Sequence, residues 1–257
     1  PMGVRVLILK LGAIGDALRT TPILPALNRK YQNIHITWVT DEESFPILKD
    51  NPLINNLLLN TPHFTNPLLV QEFHYVICLD KDPSVLALAM RVNAGIRLGF
   101  SMTPYGTLDV FNDASLYSLE LGLDDDLKFF KNEKTYQQII YEMAELPYVR
   151  DEYVFNLLDD HHQRARVVLD ELNVKGTGPR IGLNTGCGDV FATKKWPDEN
   201  FQRLAELCFE KLDARIYLLG GKAESETNKV LAQTLNGIAQ ATGFQELQTF
   251  ARLLKEM

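Results

Sequence analysis

Cysteine is scarce in this chain. Its 257 residues include three, Cys78, Cys187 and Cys208, and no Cys-x-x-Cys pair. That excludes a disulfide scaffold and a cysteine-built zinc site, and it favours a reducing compartment. Long apolar runs are missing too. The longest, such as residues 85–90, are too short to cross a bilayer. Long polar or Pro/Ser tracts are absent, and with 46% hydrophobic residues the chain has the composition of a globular protein rather than a disordered one. An excess of positive charge is also lacking. Lys plus Arg number 26 against 33 Asp plus Glu, a net −7, which argues against broad nucleic-acid binding. The five histidines (His35, His63, His74, His161 and His162) form no metal-ligand spacing. No secretory signal pattern opens the sequence, so the expectation is a cytoplasmic protein.

The length suits one large domain or two small ones. Charge is uneven along it. Residues 1–170 hold 15 basic and 22 acidic groups, and residues 171–257 hold 11 of each. Residues 1–40 contain five basic groups and a single acid, Asp16. A lone carboxylate therefore sits in a basic neighbourhood, although a solvated helix face would read the same way.

Hydrophobic patterning divides the chain into two α/β runs. Residues 4–10 (VRVLILK) are a continuous aliphatic stretch, the pattern of a parallel strand buried on both faces. A glycine-marked turn (LGAIGD) follows, then a helix over 17–31 whose start is made irregular by Pro22 and Pro25. Strands are expected at 34–40, 54–59, 75–79 and 96–100, with helices at 45–49 and from 82 or 83 to 92. Such alternation means βαβ units and a parallel sheet. Residues 101–150 lose the rhythm and read as an elaborated region with one helix near 134–145. A helix over 159–172 precedes a Gly/Pro break at 175–179 (KGTGP), read as the linker. The pattern then restarts: strands at 180–184, 214–219 and 238–241, helices at 197–212, 224–235 and 244–257.

Four motifs sit at strand ends, where α/β proteins bind ligands. The first, Leu11-Gly12-Ala13-Ile14-Gly15-Asp16, lets the backbone turn sharply beside a ligand, and the following helix start could face an anion. It is not a full dinucleotide fingerprint, because Lys10 holds the first glycine position. Asp41 could imitate the ribose-binding acid of that fingerprint, and Asp16 could be simply a first-turn or capping acid. The second motif runs from Asn184-Thr185-Gly186-Cys187-Gly188 to Lys194-Lys195-Trp196-Pro197. Backbone amides, the Thr185 hydroxyl and a lysine ammonium are the groups a diphosphate requires, although lysines in a loop are as readily just solvated. The third, Gly220-Gly221-Lys222-Ala223-Glu224, places an acid where it could accept ribose hydroxyls or partner a helix N-terminus. The fourth, Asp80-Lys81-Asp82, has the spacing of a metal–nucleotide pair. With Pro83 next, Asp82 is better read as a helix cap.

Together these motifs carry a resemblance. The strand followed by LGAIGDALRTTPILPAL resembles the start of glycosyltransferase family 9, the ADP-heptose:lipopolysaccharide heptosyltransferases. IGLNTGCG with TKKWPDENF, and YLLGGKAESE, resemble that family's donor-side segments and occur in its order. The resemblance implies a GT-B-like α/β fold of two Rossmann-like domains with parallel sheets. Residues 1–174 would be the acceptor-side domain and residues 175–257 a partial nucleotide-sugar-binding domain, incomplete in this chain. The family's later Asp-(Ser/Thr)-x-x-x-His segment is not reached, so the native protein is expected to be longer and the activity of the shorter chain is open.

The resemblance further implies an inverting, metal-independent transfer of a sugar, with heptose and ADP as the family's expectation. Asp16 matches the catalytic base, Lys194 the lysine facing the donor diphosphate, Thr185 and Gly186 the phosphate loop, and Glu224 the ribose-binding acid. Gly15 and Arg19 would lie on the acceptor side. No cofactor or metal is expected, since the nucleotide-sugar is a substrate. The partners would be that donor and a lipopolysaccharide-core glycolipid at the inner face of the cytoplasmic membrane, with no nucleic acid. Two other readings stand beside this one: an NAD-type oxidoreductase, and a non-catalytic nucleotide-sugar-binding remnant.

Overall fold

The computed structural model describes residues 3–187 and 194–257. Gly188 of the second motif and residues 189–193 lie outside them. The chain divides into two compact units, Pro1–Asn156 and Leu157–Met257.

The first unit is built on a six-stranded sheet in the order β3-β2-β1-β4-β5-β6. Its strands are β1 (Val4–Leu9), β2 (Ile34–Thr40), β3 (Asn56–Leu59), β4 (Glu72–Cys78), β5 (Asn93–Met102) and β6 (Leu108–Val110). The first five run parallel, and β6 returns antiparallel to β5. The apolar run of β1 has the physical reason expected of it: Val6, Leu7, Ile8 and Leu9 are all fully buried, so both faces of the strand are covered. Trp38 of β2 is equally buried, and its indole N–H donates to the Lys10 carbonyl at 3.0 Å, so no polar group is stranded. Gly99 of β5 lies at φ +91°, and a Cβ there would fall 1.9 Å from the Cys78 carbonyl oxygen. Only glycine allows β5 to pass β4 at that point.

The helix expected over 17–31 is two helices, α1 (Ile14–Thr20) and α2 (Ile23–Lys30). Pro22 has no N–H to donate, so the ladder is interrupted there. The Thr21 hydroxyl donates to the Leu18 carbonyl at 2.7 Å and closes the first helix. Helix α1 also begins earlier than expected, which moves Asp16 from the turn into the helix's first turn. Two short helices, α3 (Phe45–Leu48) and α4 (Pro62–Thr65), flank β3, and α5 (Pro83–Arg91) joins β4 to β5. The irregular region contains more than one helix. It holds β6, α6 (Leu116–Glu120), a π-helical turn at Leu127–Lys131 and α7 (Tyr136–Met143).

In the second unit, β7 (Arg180–Asn184), β8 (Arg215–Leu219) and β9 (Ala239–Ala241) form a parallel three-stranded sheet in that order. Residues of β8 alternate between two cores, as strand geometry requires. Ile216 and Leu218 pack with Phe201 and Ala205 of α9 (Asp198–Leu212) and Leu231 of α10 (Ser225–Thr234). Tyr217 and Leu219 pack with Ala165 and Leu169 of α8 (Asp159–Glu171) and Leu253 of α11 (Leu247–Lys255).

This last layer corrects the expected boundary between residues 174 and 175. Helix α8 covers the second sheet, so the division falls between Asn156 and Leu157. The Gly/Pro break at 175–179 is not a linker but a loop wrapped on Asp213. That carboxylate accepts the Thr177 N–H at 2.8 Å and the Thr177 hydroxyl at 2.7 Å, and these donors hold its pKa below the usual range. Gly178 N–H donates to the Asp213 carbonyl at 2.8 Å.

Candidate functional site

In the first unit, strand order reverses between β1 and β4, the switch point at which open α/β sheets bind ligands. Lys10 follows β1 there, 6% exposed, with its ammonium 2.9 Å from Asp80 beyond the end of β4. Asp80 is saturated with donors: Leu11 N–H at 3.1 Å, Lys81 N–H at 2.8 Å and Asp82 N–H at 3.2 Å complete its shell. Burial pushes the Asp80 pKa up, but the Lys10 charge and these hydrogen bonds outweigh it and hold the carboxyl low. Asp82 caps α5 by accepting the Ser84 N–H at 2.8 Å. The Asp-x-Asp spacing is thus explained by a buried ion pair and a cap. Among the described residues no group of His, Cys, Asp and Glu is arranged to hold a metal.

Asp16 follows β1, half-buried in the first turn of α1, where a helix favours an acid. Its carboxylate is hydrogen-bonded and ion-paired to Arg19, one turn on. Arg19 is held in turn by its guanidinium lying 4.3 Å from the centre of the Tyr136 ring. The Tyr136 hydroxyl lies 3.2 Å from the Thr20 hydroxyl, and burial raises the phenol's pKa. Arg19 is therefore turned to Asp16 and Tyr136. At Gly15 a Cβ would meet nothing within 4 Å, so neither packing nor backbone demands a glycine, and the surface beside Asp16 is open. Asp16, Lys10, Asp80 and Tyr136 share the wall of one cavity of about 450 Å³, with Lys81 and Lys128 further along.

Asp41, the acid of the oxidoreductase reading, lies among acids. Burial raises its pKa, and Asp80, Asp82, Glu43 and Glu42 raise it further.

In the second unit three of the expected donor-side residues, Thr185, Gly186 and Glu224, lie at the carboxyl ends of β7 and β8. A Cβ on Gly186 would fall 2.7 Å from the Glu224 carboxyl carbon, so the two motifs touch because Gly186 has no side chain. The Glu224 carboxylate accepts the Gly221 N–H at 2.8 Å, which fixes it over the turn. Thr185 differs from expectation. It is 3% exposed, and its hydroxyl points inward, 3.1 Å from the Leu219 carbonyl and 2.7 Å from Asn228 Oδ1. The hydroxyl anchors the loop, which leaves the backbone beyond it to meet a ligand. Lys194 is exposed and lies four residues before the start of α9.

Sequence reasoning missed two residues here. Tyr136 lies 116 residues from Thr20 and carries no local mark of its role. Asn228 had a weak signal, a polar residue one helical turn beyond Glu224. Its amide N–H also reaches the Leu219 carbonyl, at 3.3 Å, so one side chain ties β7, β8 and α10.

No family model matches the chain, and no curated protein resembles it in sequence. Solved structures do resemble it in fold. The glycosyl transferase family 9 protein of Veillonella parvula superimposes with a TM-score of 0.75 at 20% identity, over 98% of this chain and 74% of that one. Escherichia coli heptosyltransferase WaaC, solved with ADP, gives 0.67 at 19% identity, over 98% and 79%. E. coli ADP-heptose lps heptosyltransferase II gives 0.67 at 13% identity, over 98% and 77%. The chain has the fold of these family 9 glycosyltransferases, as the motif resemblance implied. Among the described residues no helix is long and apolar enough to cross a membrane.

Proposed function

We propose that the protein is a glycosyltransferase that moves a heptose from an ADP-activated donor to a lipopolysaccharide-core glycolipid, with inversion and without a metal. The placement of Asp16 carries this reading. It is a half-buried carboxylate in the first turn of α1 at the sheet's switch point, opening on a cavity of about 450 Å³. Asp16 takes the proton of an acceptor hydroxyl as that oxygen forms its bond to the anomeric carbon. The bond from that carbon to the diphosphate breaks on the opposite face, and ADP leaves with the electron pair. Arg19, stacked on Tyr136, holds the carboxylate in place.

The second unit takes the donor. Backbone at Gly186 and beyond meets the diphosphate, Lys194 supplies a positive charge to the leaving group, and Glu224 accepts the ribose hydroxyls. The acceptor is met at the inner face of the cytoplasmic membrane.

The test is direct. Incubation of the chain with ADP-heptose and a heptose-free core acceptor should add one heptose to the acceptor and release ADP, with the anomeric configuration inverted and no loss of rate in EDTA. Transfer by Asp16→Ala at the wild-type rate would overturn the mechanism. Binding of ADP with no transfer would instead favour the remnant reading.

A further inference from the structure

The two donor-side motifs lie about 40 residues apart in sequence, yet one helix face meets both. Glu224 stands at the N-cap of α10, and Asn228 lies one turn on, its N–H donating to the Glu224 carbonyl at 2.8 Å. Residues four apart share a helix face. Glu224 meets Gly186, where a Cβ would fall 2.7 Å from the carboxyl carbon. Asn228 meets Thr185, the residue before Gly186. Two successive side chains of one helix face therefore clasp two successive residues of the loop after β7.

The Asn228 end of this clasp has no slack. Asn228 is 4% exposed and Thr185 3%. The Leu219 carbonyl accepts the Thr185 N–H at 3.0 Å and the Asn228 amide N–H at 3.3 Å, which occupies both of its lone pairs. The Thr185 hydroxyl proton is thereby directed to Asn228 Oδ1, at 2.7 Å. In a buried network of this kind, the loss of one member leaves the others unpaired. Gly220 is the gap through which the helix closes on the loop. A Cβ there would fall 2.7 Å from Glu224 Cβ and 3.0 Å from Asn228 Nδ2.

We infer that Asn228 is a positioning residue of the donor site: through Thr185 it sets the loop that meets the diphosphate, and through α10 it couples that loop to the Glu224 carboxylate, so that diphosphate and ribose are held as one unit. Asn228, buried, acts only through these neighbours. This deepens the transferase reading and rests on it for the ligand, a nucleoside diphosphate, but the coupling itself is tested without any ligand.

Hydrogen exchange followed by NMR on the ligand-free protein reads the coupling. The Thr185 N–H is held by Leu219 and the Gly221 N–H by Glu224, so the two amides report on opposite ends of the clasp. In Asn228→Ala both should exchange about tenfold faster, while Tyr217 in the middle of β8 keeps its rate. Thr185→Val, which removes only the hydroxyl, should do the same, and Thr185→Ser should restore the wild-type rates. Thr185→Val carries the test if Asn228→Ala fails to fold. Calorimetry with ADP then reads the site. Asn228→Ala should bind ADP about tenfold more weakly, and adding Glu224→Gln should cost less than it does in the wild-type background. Faster exchange at Thr185 with Gly221 unchanged, or losses of affinity that simply multiply in the double variant, would overturn the coupling. If both amides respond together and the wild type binds no ADP, the coupling stands and the donor reading alone fails.

Discussion

The two units build their ligand-facing ends from different materials. In the first, the groups at the carboxyl ends of β1 and β4 are charged side chains, each held by another: Lys10 by Asp80, Asp16 by Arg19 and Arg19 by Tyr136. In the second, the ends of β7 and β8 are mostly backbone, brought close by Gly186 and pinned by Thr185, Asn228 and Glu224. The first arrangement suits proton transfer, which needs a particular carboxylate in a particular charge state. The second suits a diphosphate, which is recognised by directed N–H groups and needs close approach. The first unit should therefore be sensitive to the removal of charge and the second to the addition of atoms.

The largest expected effect is on turnover. Asp16→Asn should lower kcat by about 10²- to 10⁴-fold, the range for loss of a general base. Stability should hardly change, because a pair as accessible to solvent as the half-buried Asp16 and exposed Arg19 contributes about 0–1 kcal/mol. A large fall in Tm would show instead that the carboxylate is structural.

Next comes Asp80→Ala, which strands the buried Lys10 ammonium and the Leu11 N–H. Removal of one partner of such a pair costs about 3–5 kcal/mol, measurable by urea unfolding. Its pH dependence follows from the lowered carboxyl. The Asp80 contribution is full above the ordinary carboxylate pKa and is lost as pH falls through the folded value. Wild type and Asp80→Ala should then converge in stability in acid. A constant gap would mean that the charge of Asp80 is not what matters.

Gly186→Ala tests the second unit's half of the comparison. The new methyl must displace the Glu224 carboxylate, so ADP binding should weaken about tenfold, or about 1.4 kcal/mol. Calorimetric affinity equal to wild type would show that the Gly186–Glu224 approach is not used for binding.

The smallest effect belongs to Asp41→Asn. Its carboxyl pKa is raised by burial and by its acidic neighbours, so its ionisation opposes folding, and stability falls as pH rises from the ordinary carboxylate value through the folded one. Removal of the charge should raise Tm slightly at neutral pH, with no gain below the ordinary carboxylate range. A lower Tm at neutral pH would show that the exposed acid is held by favourable contacts.

Much of the first unit could be read from local pattern. VRVLILK announces a strand covered on both faces, and Asp82-Pro83 announces a capped helix start. Both signals lie within a few residues of what they describe. Pro22 was recognisable as a disturbance, but whether it bends a helix or divides it depends on Thr21, whose hydroxyl also accepts the Val154 N–H at 2.9 Å from far along the chain. Residues 101–150, apart from the helix expected near 134–145 and seen as α7, were opaque for the same reason. Their short helices form against β5, β6 and α1 rather than from a strong periodicity of their own. The boundary was misplaced because Gly and Pro mark any loop, packed or free, and only Asp213 makes the loop at 175–179 a packed one.

The sequence by itself determined the α/β class, the restart after the Gly/Pro loop and the positions of Asp16, Gly186 and Glu224 at strand ends. Those features follow from burial periodicity and from the few residues that tolerate a tight turn, both of which act over short stretches of chain. Only the tertiary structure decided which charge meets which. Asp80 neutralises Lys10 across 70 residues, Tyr136 lies beneath Arg19, and the Thr185 hydroxyl turns inward to Asn228. An ion pair or a stacked ring depends on a few ångströms of separation between residues distant in sequence, and only the packing of the sheets and their helices sets that separation.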